Sequence, residues 1–126
     1  MRERNRIILL NKLPYDRDNI SQTKMTLDIL SSFCEDSIKS EFMKPAAKEE
    51  FSILVKKISA QNRGLSILLR KIEIIDSIRD DRKERKKLRY HIDDYMRTKK
   101  TRITAYQRLI VDYDIRLNRI DLINKD

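Results

Sequence analysis

Few side chains in this sequence have the chemistry of catalysis or metal binding. His91 is the only histidine and Cys34 the only cysteine. His91 is followed by Asp93 and Asp94, but side chains two or three residues apart on a helix do not converge as a nucleophile and its base do. Cys34 alone can form neither an internal disulfide nor a zinc site. The sequence therefore predicts a protein that is not an enzyme and that uses no metal or cofactor.

Basic side chains are the chemistry that the sequence does offer. The 126 residues include 29 Lys or Arg and 20 Asp or Glu, a formal charge of +9. Residues 79–108 hold twelve basic and five acidic residues, a net +7, whereas residues 109–126 hold three and four, a net −1. Residues 79–108 form a basic stripe, and within it we define the basic patch as Arg82, Lys83, Arg85, Lys86, Lys87, Arg97, Lys99, Lys100, Arg102 and Arg108. Such a field attracts phosphate backbones or acidic protein surfaces. A solvated helix face with ion pairs such as Asp81–Arg85 is the competing interpretation.

The composition indicates that helices carry these groups. Two prolines and one glycine in 126 residues exclude an all-β fold, which needs frequent turn residues. No apolar run approaches the ~20 residues needed to cross a bilayer, and Ile7–Leu10 is too short for a secretion signal. We therefore expect a single all-α domain over residues 1–126, in a reducing intracellular compartment and not in a membrane.

Apolar residues at helical spacing indicate an elongated bundle, and Pro14 and Pro45 divide the chain. Residues 1–19 are predicted to form a short N-terminal helix or turn and a connector. The three main helices are predicted at about 20–42, 47–76 and 79–123, separated at Ser77–Asp81 by a bend or an exposed bridge, with one continuous helix as the alternative. Gly64 lies inside the middle helix, where it could allow a close approach by a neighbouring helix.

The apolar stripes provide the predicted core and the predicted interface. The residues expected to face inward are Ile20, Leu27, Leu30, Cys34, Ile38, Phe42, Phe51, Leu54, Ile58, Leu65, Leu68, Ile72, Ile75, Leu88, Ile92, Met96 and Ile120. The last helix would be roughly 60 Å long, too long for the chain to cover unless its other helices are similarly long. We therefore expect its apolar stripe to pack on residues 51–75 and on a partner chain, with the partner interface at Ile103, Tyr106, Ile110, Tyr113 and Leu117. The seam position of Tyr106 favours the core over a contact with nucleic acid.

One stretch of the last helix resembles a known family. Residues 95–109 read Tyr-Met-Arg-Thr-Lys-Lys-Thr-Arg-Ile-Thr-Ala-Tyr-Gln-Arg-Leu. They resemble the basic, then Ala-Tyr-x-Arg-Leu, signature of the Psf-one subunit of GINS, the four-subunit complex of the eukaryotic replicative helicase. Lys100, Ala105, Tyr106, Arg108 and Leu109 match in register, whereas Thr98 and Thr101 stand where the family favours Arg, and Arg102 where it favours Cys. The family also has a small β-rich C-terminal domain, so the resemblance implies a truncated or reduced form.

The resemblance implies a non-catalytic scaffold in the nucleus. Its partners would be GINS-like sister subunits and the replicative helicase, and the assembly would link the helicase motor to its activator in DNA replication. Two alternatives stay open from the residues themselves. One is a basic helical protein, associated with the ribosome or with DNA, that binds nucleic acid through residues 79–108. The other is a self-associating coiled coil, because the heptads are regular.

Overall fold

Within the part of the chain that the structure describes, the protein is an all-α bundle of three main helices, as predicted. The computed structural model describes residues 17–79 and 81–125, and the predicted N-terminal helix falls largely outside this part of the chain. We name the helices α1 (Arg17–Lys39), α2 (Pro45–Arg79) and α3 (Leu88–Asn124), and a short 3-10 turn at Arg85–Lys87 precedes α3. None of the helices among the described residues combines the length and the apolarity needed to span a bilayer.

The turn between α1 and α2 lies earlier than predicted. Helix α1 ends at Lys39, and the backbone N–H of Met43 donates to the Ser40 carbonyl, which closes a turn. Phe42 was expected to face inward, but it lies in this turn and is 92% exposed, so that prediction is wrong. Pro45 is the first residue of α2, where a proline needs no backbone N–H and its fixed φ suits the helix.

The separation between α2 and α3 also differs from the prediction. Helix α2 continues through Ser77 to Arg79, and Ile78 is buried, so the bend does not lie at Ser77. Backbone hydrogen bonds from Asp81 to Ile78, from Glu84 to Asp81 and from Lys87 to Glu84 then form successive tight turns. Residues 81–87 are all charged and bury nothing, so no packing stabilises a helix there. The last helix therefore begins at Leu88, and neither its predicted start at residue 79 nor one continuous helix is correct.

The helices run up, down and up, with α2 between the other two. The Phe33 and Phe51 rings meet edge to face at 5.9 Å, whereas Lys24 donates to Asn62 at 2.8 Å, so α1 and α2 are antiparallel. Gln61 donates to the Arg102 carbonyl at 3.2 Å, and other pairs show the same order for α2 and α3. Across residues 17–79 and 81–125, no Cα atom of α1 lies within 8 Å of one in α3.

One apolar core follows both sides of α2. Its buried members are Ile20, Leu27, Leu30, Cys34, Ala47, Phe51, Leu54, Ile58, Leu65, Leu68, Tyr106, Leu109, Tyr113 and Ile120. Most of the predicted inward positions therefore do face the core. Met96 is an exception: it is 52% exposed, so its predicted inward position is wrong. Because α2 and α3 have 35 and 37 residues, each covers most of the length of the other.

Candidate functional site

The predicted partner interface on α3 lies inside the chain's own fold. Tyr106 is 0% exposed and Tyr113 is also buried, while Ile103, Ile110 and Leu117 are partly buried and pack against the same core. Helix α2 has 35 residues and is long enough to cover these side chains, so the last helix does not need a partner chain along this stretch. Tyr106 and Tyr113 are therefore core residues of this chain: the core position favoured for Tyr106 is confirmed, and α2, not a partner chain, covers both side chains.

The basic patch, in contrast, is at the surface. Arg82, Lys83, Arg85, Lys86 and Lys87 are exposed in the turns before α3, Arg97, Lys100 and Arg108 are exposed on α3, and Lys99 and Arg102 are half-buried. Among the described residues, Lys87 is the one member with a carboxylate within 4.0 Å, that of Glu84 at 3.2 Å. The Lys99 ammonium lies 6.0 Å from the Tyr95 ring centre. The carboxylates of the described residues therefore leave most of the patch unneutralised.

Two acids near the patch, Asp81 and Asp94, accept hydrogen bonds from groups other than the patch side chains. The predicted ion pair Asp81–Arg85 does not form, because the chain is not helical there and Asp81 instead accepts a hydrogen bond from the Lys83 backbone at 2.9 Å. Asp94 accepts a hydrogen bond from Lys71 of α2. This hydrogen bond outweighs the effect of burial and lowers the pKa of Asp94, with smaller contributions from nearby Arg97 and His91. Both carboxylates are thus occupied by groups outside the basic patch or by backbone.

A groove between α2 and α3 extends the basic surface. It has a volume of about 440 Å³ and is lined by Ala60, Arg63, Gly64, Ile67, Arg97, Thr98, Thr101 and Arg102. The Arg102 side chain crosses α2 directly over Gly64. The expected close approach at Gly64 therefore occurs, but it is made by a side chain. Arg63 was not among the predicted site residues, because it lies on α2, outside the charge-rich stretch.

The other end of the α2–α3 pair holds a network of ion pairs. Arg116 lies between Glu50, at 2.6 Å, and Asp112, at 2.7 Å, and Lys57 reaches Asp112 at 3.0 Å. Burial opposes ionisation of Asp112, but the hydrogen bonds from Arg116 and Lys57 outweigh it, so the pKa of Asp112 is lowered. The hydrogen bond to Asp112 likewise raises the pKa of Arg116. This network, which we call the paired end, joins the two helices and leaves little free charge.

The isolated reactive side chains lie apart from one another. The His91 ring packs edge to face on Tyr90, with 5.3 Å between centres. Cys34 is buried in α1, and burial, with a contribution from Glu35, raises the pKa of its thiol to about 12. No group of three His, Cys, Asp or Glu that could hold a metal ion occurs within the part of the chain that the structure describes.

Comparisons of the chain with protein families, with curated proteins and with solved structures found no match. The resemblance of residues 95–109 to Psf-one therefore stays a prediction. The candidate functional site consists of the basic patch and the groove beside it.

Proposed function

We propose that this protein uses its basic patch to bind the phosphate backbone of a nucleic acid, without catalysing a reaction. The observation that carries the proposal is the lack of neutralisation: within the described ranges, only Lys87 of the ten patch residues has a carboxylate within 4.0 Å. Exposed cations without protein partners keep condensed anions or phosphates as their counter-charges. Contacts with phosphates release counterions from the nucleic acid, which supplies affinity independent of sequence.

The dimensions of the surface suit an extended polyanion. The part of α3 from Leu88 to Arg108 spans about 30 Å, close to the rise of one turn of duplex DNA, roughly 34 Å. The exposed residues of the preceding turns lengthen the charged surface further. The described helices present no motif that reads base edges, so we expect binding that depends strongly on salt and weakly on sequence.

The test is a salt titration of binding with two variants of equal charge. A labelled short duplex DNA and a single-stranded RNA are titrated with the protein, and fluorescence anisotropy gives Kd at each salt concentration. Arg82, Lys83 and Lys86 are changed to Gln in one variant. Lys39, Lys56 and Lys125, which are exposed and outside the patch, are changed to Gln in the other. The slope for duplex DNA should be about −0.9 per phosphate contacted.

The two variants separate a local surface from general attraction. We expect the patch variant to lose at least tenfold in affinity, with a salt slope shallower by about 3 if each side chain contacts one phosphate. The control variant should stay near the wild-type protein. Equal losses in both variants would reduce the effect to net charge, and a wild-type protein that binds neither nucleic acid would contradict the proposal.

A scaffold role is the second candidate, supported by an apolar stripe on α1. Met25, Ile29 and Phe33 are four residues apart, and each is about half exposed or more. Together with the resemblance to Psf-one, this supports a GINS-like subunit in the nucleus whose basic patch contacts acidic sister subunits. Pull-down of the tagged protein after nuclease treatment, with mass identification of bound proteins, tests this role. Acidic helical subunits that stay bound would favour the scaffold.

Self-association is tested separately. A homodimer would show a melting temperature that rises with protein concentration. A melting temperature independent of concentration would contradict the coiled-coil alternative.

A further inference from the structure

We infer that the groove over Gly64 is a specific phosphate seat, in which Arg63, Arg97 and Arg102 hold one phosphate of the bound nucleic acid. The inference rests on the proposed function and adds a built site to it. Most other members of the basic patch are exposed side chains, whereas here three arginines from two helices line one concave surface of about 440 Å³ that has no acidic residue in its lining.

Gly64 leaves the space that the Arg102 side chain occupies at the groove. Glycine inside a helix lowers stability relative to alanine. Gly64 is buried in α2, and a Cβ atom there would lie 2.6 Å from Cδ and 3.0 Å from Cζ of Arg102. Both distances are shorter than ordinary contacts between carbon atoms. The glycine therefore makes room for the Arg102 side chain to cross α2 and reach the groove.

The position of Arg102 is fixed from both helices. Its backbone carbonyl accepts a hydrogen bond from the buried side chain of Gln61, one turn before Gly64 on α2. This bond sets the register of α3 against α2 at the groove. Arg102 is half-buried, and its planar guanidinium can make bidentate contacts to a phosphate, which a lysine ammonium cannot.

The lining of the groove carries positive charge and no acidic residue. Arg63, Arg97 and Arg102 have no carboxylate within 4.0 Å among residues 17–79 and 81–125, although acids lie on both helices. Asp94 is bonded to Lys71, and Asp112 to Arg116 and Lys57. Around the three arginines, the walls of the groove are small or apolar, formed by Ala60, Ile67, Thr98 and Thr101. Three arginines that line one concave surface attract an anion, and a phosphate has the charge and the acceptor oxygens for bidentate contacts with them.

The experiment compares Gly64→Ala with the wild-type protein in stability and in binding. The added methyl group removes the glycine's penalty in the helix but displaces the Arg102 side chain. We expect a melting temperature that is unchanged or higher, together with severalfold weaker binding of the short duplex DNA. The log–log salt slope should become shallower by about 1, the loss of one phosphate contact.

Arg102→Gln and Arg119→Gln complete the experiment. Arg102→Gln should reproduce the weaker binding and the shallower slope, and it decides the question if Gly64→Ala lowers the melting temperature. Arg119→Gln removes the same charge at the paired end and should bind as the wild-type protein does. Wild-type affinity and slope in both Gly64→Ala and Arg102→Gln would overturn the phosphate seat alone. A wild-type protein that does not bind nucleic acid would overturn the seat and the proposed function together.

Discussion

Arginines and lysines lie along the whole α2–α3 pair, but the paired end and the groove over Gly64 neutralise them differently. At the paired end, Arg116 contacts Glu50 and Asp112, and Arg119 lies 3.8 Å from Glu50. Around Gly64, the described part of the chain places no carboxylate within 4.0 Å of Arg63 or Arg97. Arginine therefore joins the two helices at the paired end, whereas in the groove it has no carboxylate partner among the described residues.

The difference shows that cation content alone does not indicate function. What distinguishes the two ends is whether an acid on the facing helix lies at the matching height. Glu50 of α2 does so for Arg116 and Asp112 of α3 does so for Lys57, whereas α2 offers Ala60 and Gly64 opposite the α3 cations of the groove. If this comparison is right, substitutions at the paired end should change stability, and those at the groove should change binding.

The largest expected effect is at Tyr106, which lies under the border between the two ends. Tyr106→Ala removes a fully buried aromatic side chain and should lower the free energy of unfolding by about 3–5 kcal/mol. Tyr90→Ala, at a tyrosine on the same helix that is 67% exposed, is the matched control and should change it little. Urea unfolding followed by circular dichroism measures both. Equal effects would contradict the core position of Tyr106.

Arginine substitutions at the two ends test the comparison directly. Arg116→Met leaves Glu50 without its closest cation and Asp112 with Lys57 alone, in a partly buried place, so we expect a loss of about 1–3 kcal/mol. Arg97→Met should stay within about 0.5 kcal/mol of the wild-type protein, because its side chain is exposed and makes no ion pair within 4.0 Å in the described ranges. Thermal or urea unfolding of the two variants measures the two losses in free energy of unfolding. Similar losses would mean that both ends are structural.

The paired end should also make stability depend on acid pH. The pKa of Asp112 is lower in the folded chain than the usual value of about 3.9, so its contribution is present above that pH. The contribution is lost as the pH falls through the lower, folded value. Asp112→Asn should therefore be less stable than the wild-type protein at neutral pH, and the gap should narrow below pH ~4. Urea unfolding at neutral and acid pH measures the gap. A constant gap would contradict the prediction.

The smallest expected effect concerns repulsion within the basic patch. Changing Lys86, Lys100 and Arg108 to Gln should raise the free energy of unfolding by a few tenths of a kcal/mol at low salt. The gain should disappear in roughly 0.5 M salt, where the Debye length is only a few ångströms. Melting curves at the two salt concentrations test this. A loss of stability at low salt would show that these cations do have partners.

The apolar spacing was sufficient to predict the helices, and it failed where packing decides. Residues such as Leu54, Ile58 and Leu65 recur at heptad positions, and all three are buried. Phe42 follows the same spacing, but α1 ends before it, and its exposure depends on the turn at Ser40. Periodicity predicts that a residue faces inward only while the helix continues.

The site could be predicted only in part for a related reason. The charge count located the basic patch, since it depends on composition along one helix. The groove depends on which residues of α2 face α3: Arg63 and Gly64 lie more than thirty residues before Arg97 and Arg102 in the sequence. Similarly, the core position of Tyr113 depends on the antiparallel register that places the first half of α2 opposite it, and spacing along one helix does not reveal that register.

The turns at residues 81–87 have a consequence for limited proteolysis. They carry five exposed trypsin sites, Arg82, Lys83, Arg85, Lys86 and Lys87, in a stretch that contributes no side chain to the core. Exposed, weakly packed connections are the preferred places for nicking. Because α2 and α3 pack along most of their length on either side of the cut, the two fragments should remain associated under native conditions. The protein could then be assembled from two separately produced pieces, with the patch divided between them.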